Sequence, residues 1–287
     1  MLIAGALWGT IGPAVVVVSH HTDLSPLQIA FWRLIIGAVP LVAAAALRAH
    51  AKPSRTLLAF GLAVGATMAI SQLAYFAAVK DSGIAIPTLI ANGLGPIFTA
   101  VGQTVIFRSR PDRRTLLALA AALTGLALLV ADNPGNVTGL GIVLSLVSAA
   151  AYAGSTLAAG PASRRLDVTT LNAASVVGGA LTMVPFILFI GGPGLADSAA
   201  GWAGLIHLGL VVSGLAYWLY YSAARELPST HITILALIDP LISALIAIAF
   251  FDESLTLGVV VGGILMLVAV AALRAPAEDE PPHPPPA

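Results

Sequence analysis

Long apolar runs, each ended by a charge or by a cluster of Gly, Pro, Asn and Ser, follow one another along the whole chain. Ten of them lie near 2–18, 27–47, 57–79, 84–107, 115–131, 140–160, 171–191, 202–224, 231–251 and 257–273. A helix needs roughly 20 mostly apolar residues to cross a bilayer, so the pattern predicts ten membrane-spanning helices. A β-barrel would show short alternating segments instead. The first run has no basic segment before it and no cleavage site after it, so it reads as a span and not as a signal peptide. It begins almost at Met1, which leaves a start further upstream open.

Composition agrees. Hydrophobic residues make up 58% of the 287 and charged residues 9%, where a soluble domain carries about a quarter charged. Charge is sorted by loop. Eleven of the thirteen basic residues, Arg48, Lys52, Arg55, Arg108, Arg110, Arg113, Arg114, Arg164, Arg165, Arg225 and Arg274, follow even-numbered runs. The positive-inside rule makes that face cytoplasmic and puts both ends there, in the inner (cytoplasmic) membrane. The Pro-rich acidic segment 275–287 reads as a disordered cytoplasmic tail, with His283 incidental. With zero cysteines there is no disulfide framework and no thiolate metal site. Neither a metal, a cofactor nor a nucleic acid is expected; the partners are the lipid bilayer and a small molecule, with protons open, in a monomer or homodimer.

The chain is written twice. YFAAVKDSGIA (75–85) resembles YYSAARELPST (220–230), LGPIFTAVGQTVIF (94–107) resembles IDPLISALIAIAFF (238–251) with Pro96 on Pro240, and GALWGT pairs Trp8 with Tyr152. The offset stays at 144–145 residues. Two five-span repeats, 1–136 and 137–274, follow. Five is odd, so the second repeat lies inverted, which is the architecture of secondary transporters, with a substrate site near midplane where the repeats meet.

These residues resemble a known family. ALWGT in the first run, FWRLIIGA (31–38) and DPLISALIAIAFFDESLT (239–256) are similar to the Trp-Gly, Arg-containing and acidic-Pro signatures of the EamA-type ten-helix exporters of the drug/metabolite transporter superfamily. The resemblance covers essentially the whole chain. It implies an efflux permease for small metabolites, commonly amino acids and related compounds, and gives Glu253 the place of a loop residue that anchors its turn.

Polar residues within a span should face protein or water. In the fourth run Thr88, Asn92, Thr99 and Gln103 fall on one stripe, with Gly95 between them; the stripe either lines a pathway, with Asn92 the leading candidate, or glues helices together. Gln72 and Tyr75 share a face with Ser71, and Tyr217 shares one with Ser213 and Tyr220. Tyr75 and Tyr217 suit a cavity for an amphipathic solute. Trp202 and Tyr221 read as interfacial anchors. Trp8 and Tyr152, as repeat mates, either face one another across the pseudo-twofold axis or pack in the core. His207 reads as a satisfied core residue.

Asp239 and Pro240 are the anomaly. Asp239 lies eight residues into its run, roughly 12 Å deep at helical rise, and Pro240 loosens the helix one turn earlier; Pro96 is the matching break in the first repeat. Ser243 shares the face of Asp239. A charged Asp facing lipid near the centre would cost about 2.5–3.5 kcal/mol. Three roles are open: a protonation site coupled to transport, since burial disfavours the charged form; a site for a substrate's cationic group; or a structural ion pair, with Arg33 the partner within reach.

An enzyme is disfavoured, because HExxH, GxSxG and paired intramembrane aspartates are all missing and Ser155 has no His to activate it. The expected function is a transporter exporting small metabolites by alternating access. The alternatives are an uncoupled facilitator and an uptake or efflux carrier for drugs, sugars or nucleobases.

Overall fold

A span without water must satisfy its backbone within itself, and helices do so; every regular element among the described residues is helical. The computed structural model describes residues 1–48, 54–82, 85–131, 138–251 and 255–274. Lys52, Asp252, Glu253 and the tail 275–287 with His283, all read above, lie outside them.

Span 1 comprises α1 (Leu2–Trp8) and α2 (Ile11–His20). Spans 2 to 7 are α3 (Pro26–Arg48), α4 (Arg55–Ser82), α5 (Ala85–Phe107), α6 (Arg113–Val130), α7 (Gly139–Arg165) and α8 (Val168–Phe189). Span 8 runs through α9 (Ala199–Ile206), a π-helical stretch (His207–Ala216) and α10 (Tyr217–Ala224). Span 9 is α11 (Ser229–Ala236) and α12 (Ile238–Phe250), and span 10 is α13 (Leu257–Arg274). Nine of these are long and apolar enough to cross a membrane among the described residues, and the tenth, Leu257–Leu273, is shorter. All ten apolar runs of the sequence are thus helices. Side chains set several starts: Asp112, Thr138, Asp167 and Ser198 accept from free N–H groups at the beginnings of spans 5 to 8. We call the face where span 1 begins the near face; Arg55, Arg113, Arg165 and Arg225 stand at span ends there.

Packing exchanges between the halves. Span 3 lies against spans 6 and 7, and its counterpart span 8 against spans 1 and 2; span 5 lies against span 10. Glycine makes each crossing close. A methyl group on Gly65 would run into the Ser175 carbonyl, and one on Gly178 into the Leu62 carbonyl, at the crossing of spans 3 and 7. At the crossing of spans 8 and 2, one on Gly209 would lie 2.6 Å from Ile36 and one on Gly37 2.8 Å from the Gly209 carbonyl. Gly65 and Gly209 are 144 residues apart, the offset of the internal repeat. Gly125 and Gly262 meet reciprocally between spans 5 and 10, each methyl position 2.5 Å from the other's carbonyl. With no hydrophobic drive between helices in lipid, such backbone approach supplies the dispersion that holds them.

Apolar side chains gather into separate cores. One joins spans 1, 2, 3, 6, 7 and 8, with Ile232 and Ala236 of span 9, around Leu171, Leu208 and Tyr220; another joins spans 4, 5, 9 and 10 around Leu126, Ile234 and Met266.

Two expectations are corrected here. Pro96 does not break its helix: α5 runs unbroken from Ala85 to Phe107. A proline removes one ladder bond, and α5 is held along its length by span 6, where Gly95 meets Tyr152 and Gly102 meets Leu157. Tyr221 is no interfacial anchor. It is 1% exposed and meets Tyr220 edge-on with ring centroids 5.0 Å apart, because span 8 turns this face into the first core. Trp202 lies near the far face, edge-on to Trp32 at 5.5 Å.

Candidate functional site

Three helices lose their regularity near the middle of the bundle, and the losses touch. Span 9 breaks at Leu237, whose N–H bonds back only to Ile234 O at 3.1 Å, one turn before Pro240, whose missing N–H leaves the Ala236 carbonyl without its ladder donor. Span 1 supplies small residues against this break. A methyl on Gly5 would lie 3.7 Å from the Ala236 carbonyl, and one on Gly9 2.9 Å from that of Asp239. Span 1 itself turns at Gly9 and Thr10, where the Thr10 hydroxyl donates to Leu7 O at 2.6 Å and meets His207 Nε2 at 2.9 Å. His207 opens the π-helical stretch of span 8. At the other end of that stretch, Asn172 of span 7 donates to the Ser213 and Gly214 carbonyls at 3.3 and 2.8 Å. A π-helix holds one residue more per turn than an α-helix, and it tends to stand at functional sites.

The residues after the π-helical stretch form an aromatic wall. Trp8 packs on Tyr217 and Tyr220 with ring centroids 5.2 and 5.4 Å away, and all three are buried. Tyr152 of span 6 is within electrostatic range of the same two tyrosines, and the aromatic contacts of Trp8 among the described residues are with Tyr217 and Tyr220, not with Tyr152. The Tyr152 ring lies over Gly95, 2.9 Å from where a side chain would begin.

Asp239 lies in the first turn of α12, just after the break of span 9. It is half-buried, and Tyr75, Tyr152 and Tyr217, from spans 3, 6 and 8, all lie within its electrostatic range. Trp8, Gln72, Tyr75, Tyr152, Tyr217 and Asp239 are therefore brought together at the boundary of the two cores. Ser243 is one turn further along span 9, its Oγ 3.0 Å from where a side chain on Gly12 would begin. Arg33 makes no ion pair with Asp239. Its Nη2 donates instead to Gln72 Oε1 at 2.7 Å.

The polar stripe of span 4 is divided between roles. Thr88 bonds the Tyr75 hydroxyl at 2.6 Å, and Thr99 turns back on the Gly95 carbonyl at 2.9 Å. Gln103 Oε1 accepts from the Thr230 N–H and hydroxyl at 2.9 and 3.0 Å, capping the start of span 9. Asn92, half-buried, is the member none of these bonds takes up. Sequence reasoning missed the π-helical stretch and the glycine crossings. The second had a readable signal in the Gly-x-x-x-Gly of residues 61–65, the first none beyond a Gly at 209 and another at 214.

Comparison with known proteins adds the class. The model of the EamA-like transporter family matches residues 1–131 and again residues 139–275. The chain is 27% identical to the Bacillus subtilis "Uncharacterized transporter YwfM" over 96% of its own length and 92% of that protein. It is 28% identical to an "Uncharacterized transporter" of Archaeoglobus fulgidus over 94% and 93%. A solved crystal structure superposes with a TM-score of 0.79 at 17% identity, covering 95% of this chain and 94% of the other, and so shares the fold. With both halves matched, the chain belongs to the EamA-like transporter family and is a multi-pass membrane transporter.

Proposed function

We propose that the protein exports small metabolites, amino acids or related compounds, across the cytoplasmic membrane by alternating access between two inverted five-span halves. The observation that carries this reading is Asp239: a half-buried carboxylate just after the break of span 9, within electrostatic range of tyrosines of three other spans and, among the described residues, in no ion pair. The aromatic rings suit the ammonium of a cation or zwitterion better than a sugar. The carboxylate is the proton site, which a facilitator does not need.

The two segments of span 9 support the alternating part. Segment α11 packs on spans 4, 5 and 6 as well as on spans 1, 8 and 10, whereas α12 packs on spans 1 and 10. The two five-span halves also meet at the far face, where Ser198 donates to the His21 carbonyl and Trp32 to the Gly194 carbonyl. On the near face the contact is polar, Gln103 against Thr230. The near face is read as cytoplasmic from its basic loops, and in this reading the Gln103 contact closes the two halves on that side.

The direct test is efflux of labelled amino acids from loaded proteoliposomes. Saturable flux above protein-free vesicles for at least one amino acid is expected; none for any of them removes the substrate class. A second prediction concerns the near-face contact. Gln103→Leu leaves the Thr230 N–H and hydroxyl without their acceptor, costing roughly 1–3 kcal/mol, and weakens closure at that face. A cysteine placed at Asn92 in this variant should react with an impermeant maleimide from the cytoplasmic side several times faster than the same cysteine alone.

A further inference from the structure

His231 is a titratable group that the transport mechanism leaves unused. It lies in the first turn of α11, next to Thr230, whose N–H and hydroxyl Gln103 holds across the near face. The side chain is half-buried, and its Nδ1 is buried with no hydrogen-bond partner. Here α11 packs on α5 and α6 of the first half. The acid within electrostatic range of His231 is Asp112, at the start of α6, and the influence is mutual.

Asp112 is a fixed charge. It caps span 5 by accepting from the Thr115 N–H at 2.7 Å, and the hydroxyl and N–H of Thr115 hold its carboxyl below the usual carboxylate range. It therefore stays ionised wherever an imidazole titrates, roughly between pH 5 and 8. Other charged groups stand at the ends of the spans packed on α11: Arg108, Arg114, Arg164, Arg165, Arg225 and Glu226, with the amino group of Met1. Asp112 is the one whose charge acts on His231.

We propose that His231 and Asp112 form a proton-operated latch on the near face, in which the protonated imidazole draws in the carboxylate and ties span 9 to span 5, and the neutral imidazole releases it. Protonation makes both ring nitrogens donors, and a donor–acceptor pair of opposite charge is about twice as strong as a neutral one. Gln103 and Thr230 are uncharged and hold at any pH; the latch adds the part that varies. It rests on the reading of the near face as the cytoplasmic closure and adds regulation to it: opening slows as the cytoplasm acidifies.

The test uses the full chain in oriented proteoliposomes, with Asn92→Cys and Gln103→Leu together as the parent, so that the latch acts without the Gln103 contact. Labelling by an impermeant maleimide from the cytoplasmic side is compared, variant against parent, at about pH 5 and about pH 8. Equal pH within each pair cancels the ionisation of the cysteine. At the lower pH, His231→Gln should label about threefold faster than the parent, the worth of an exposed ion pair; at the higher pH the two should agree. His231→Lys, charged throughout, should match the parent at the lower pH and label more slowly at the higher. Asp112→Asn keeps a capping side chain and should repeat the His231→Gln result. The latch is wrong, and the closure by Gln103 stands, if His231→Gln alters labelling equally at both pH values or Asp112→Asn leaves the low-pH rate unchanged. Absence of cytoplasmic labelling in the parent and every variant would remove the near-face closure and the latch with it.

Discussion

Replacing Asp239 with Asn should lower pH-gradient-driven flux by about tenfold or more while substrate exchange at equal pH stays near the wild-type rate. The two side chains have nearly the same shape, so the tyrosine surround and the break at Leu237 are kept. What goes is the ability to gain and release a proton within the bundle. Proteoliposomes loaded with labelled amino acid, assayed with and without an imposed gradient, separate the two rates. Equal wild-type flux with and without the gradient makes the protein a facilitator and leaves Asp239 to bind substrate. Loss of exchange together with gradient-driven flux assigns the carboxylate to the substrate's ammonium.

The second large effect is on folding. Gly65→Ala should destabilise the protein by about 3 kcal/mol, in the range of overpacked cores, because the new methyl group meets the Ser175 backbone, which no rotamer change can move. Helix propensity pulls the other way, since Ala is favoured over Gly by about 1 kcal/mol; a net loss therefore reports the crossing itself. Gly178→Ala, across the same contact, should behave alike. Gly139→Ala, with nothing within 4 Å of the added atom, should stay within about 0.5 kcal/mol of wild type. Thermal unfolding in detergent, followed by tryptophan emission, compares the three. Equal midpoints for Gly65→Ala and Gly139→Ala would mean that spans 3 and 7 can move apart without penalty.

The spans were legible because a bilayer tolerates no ambiguity about backbone hydrogen bonds: an apolar run of sufficient length has one solution. Their irregularities were legible only in part. Prolines do not mark breaks by themselves, since Pro40, Pro96, Pro161 and Pro185 all lie within unbroken helices. The helix gives way at Pro240, where Gly5 and Gly9 let span 1 approach the loosened backbone, and span 1 gives way at Gly9 and Thr10, one turn before Pro13. The polar stripe of span 4 shows the same limit. Periodicity aligned Thr88, Asn92, Thr99 and Gln103, but their bonds to Tyr75, Gly95 and Thr230 depend on which spans lie alongside. Arg33 is another case. Its depth and that of Asp239 make an ion pair reasonable along the sequence, yet Gln72 lies nearer in space and takes the guanidinium. Tyr221 stands close enough to the end of its run to resemble an anchor, and only the packing of span 8 against span 7 turns it inward.

The chain contains no cysteine, which makes one measurement decisive for alternating access. Asn92→Cys is reconstituted in vesicles of known orientation and treated with an impermeant maleimide from one side at a time, with and without Gln103→Leu. The account predicts labelling from the extracellular side alone in the otherwise wild-type protein, and labelling from the cytoplasmic side once Gln103 is replaced. Equal labelling from both sides without that replacement would describe an open channel, and protection from both sides in either background would leave Asn92 and Asp239 outside any pathway.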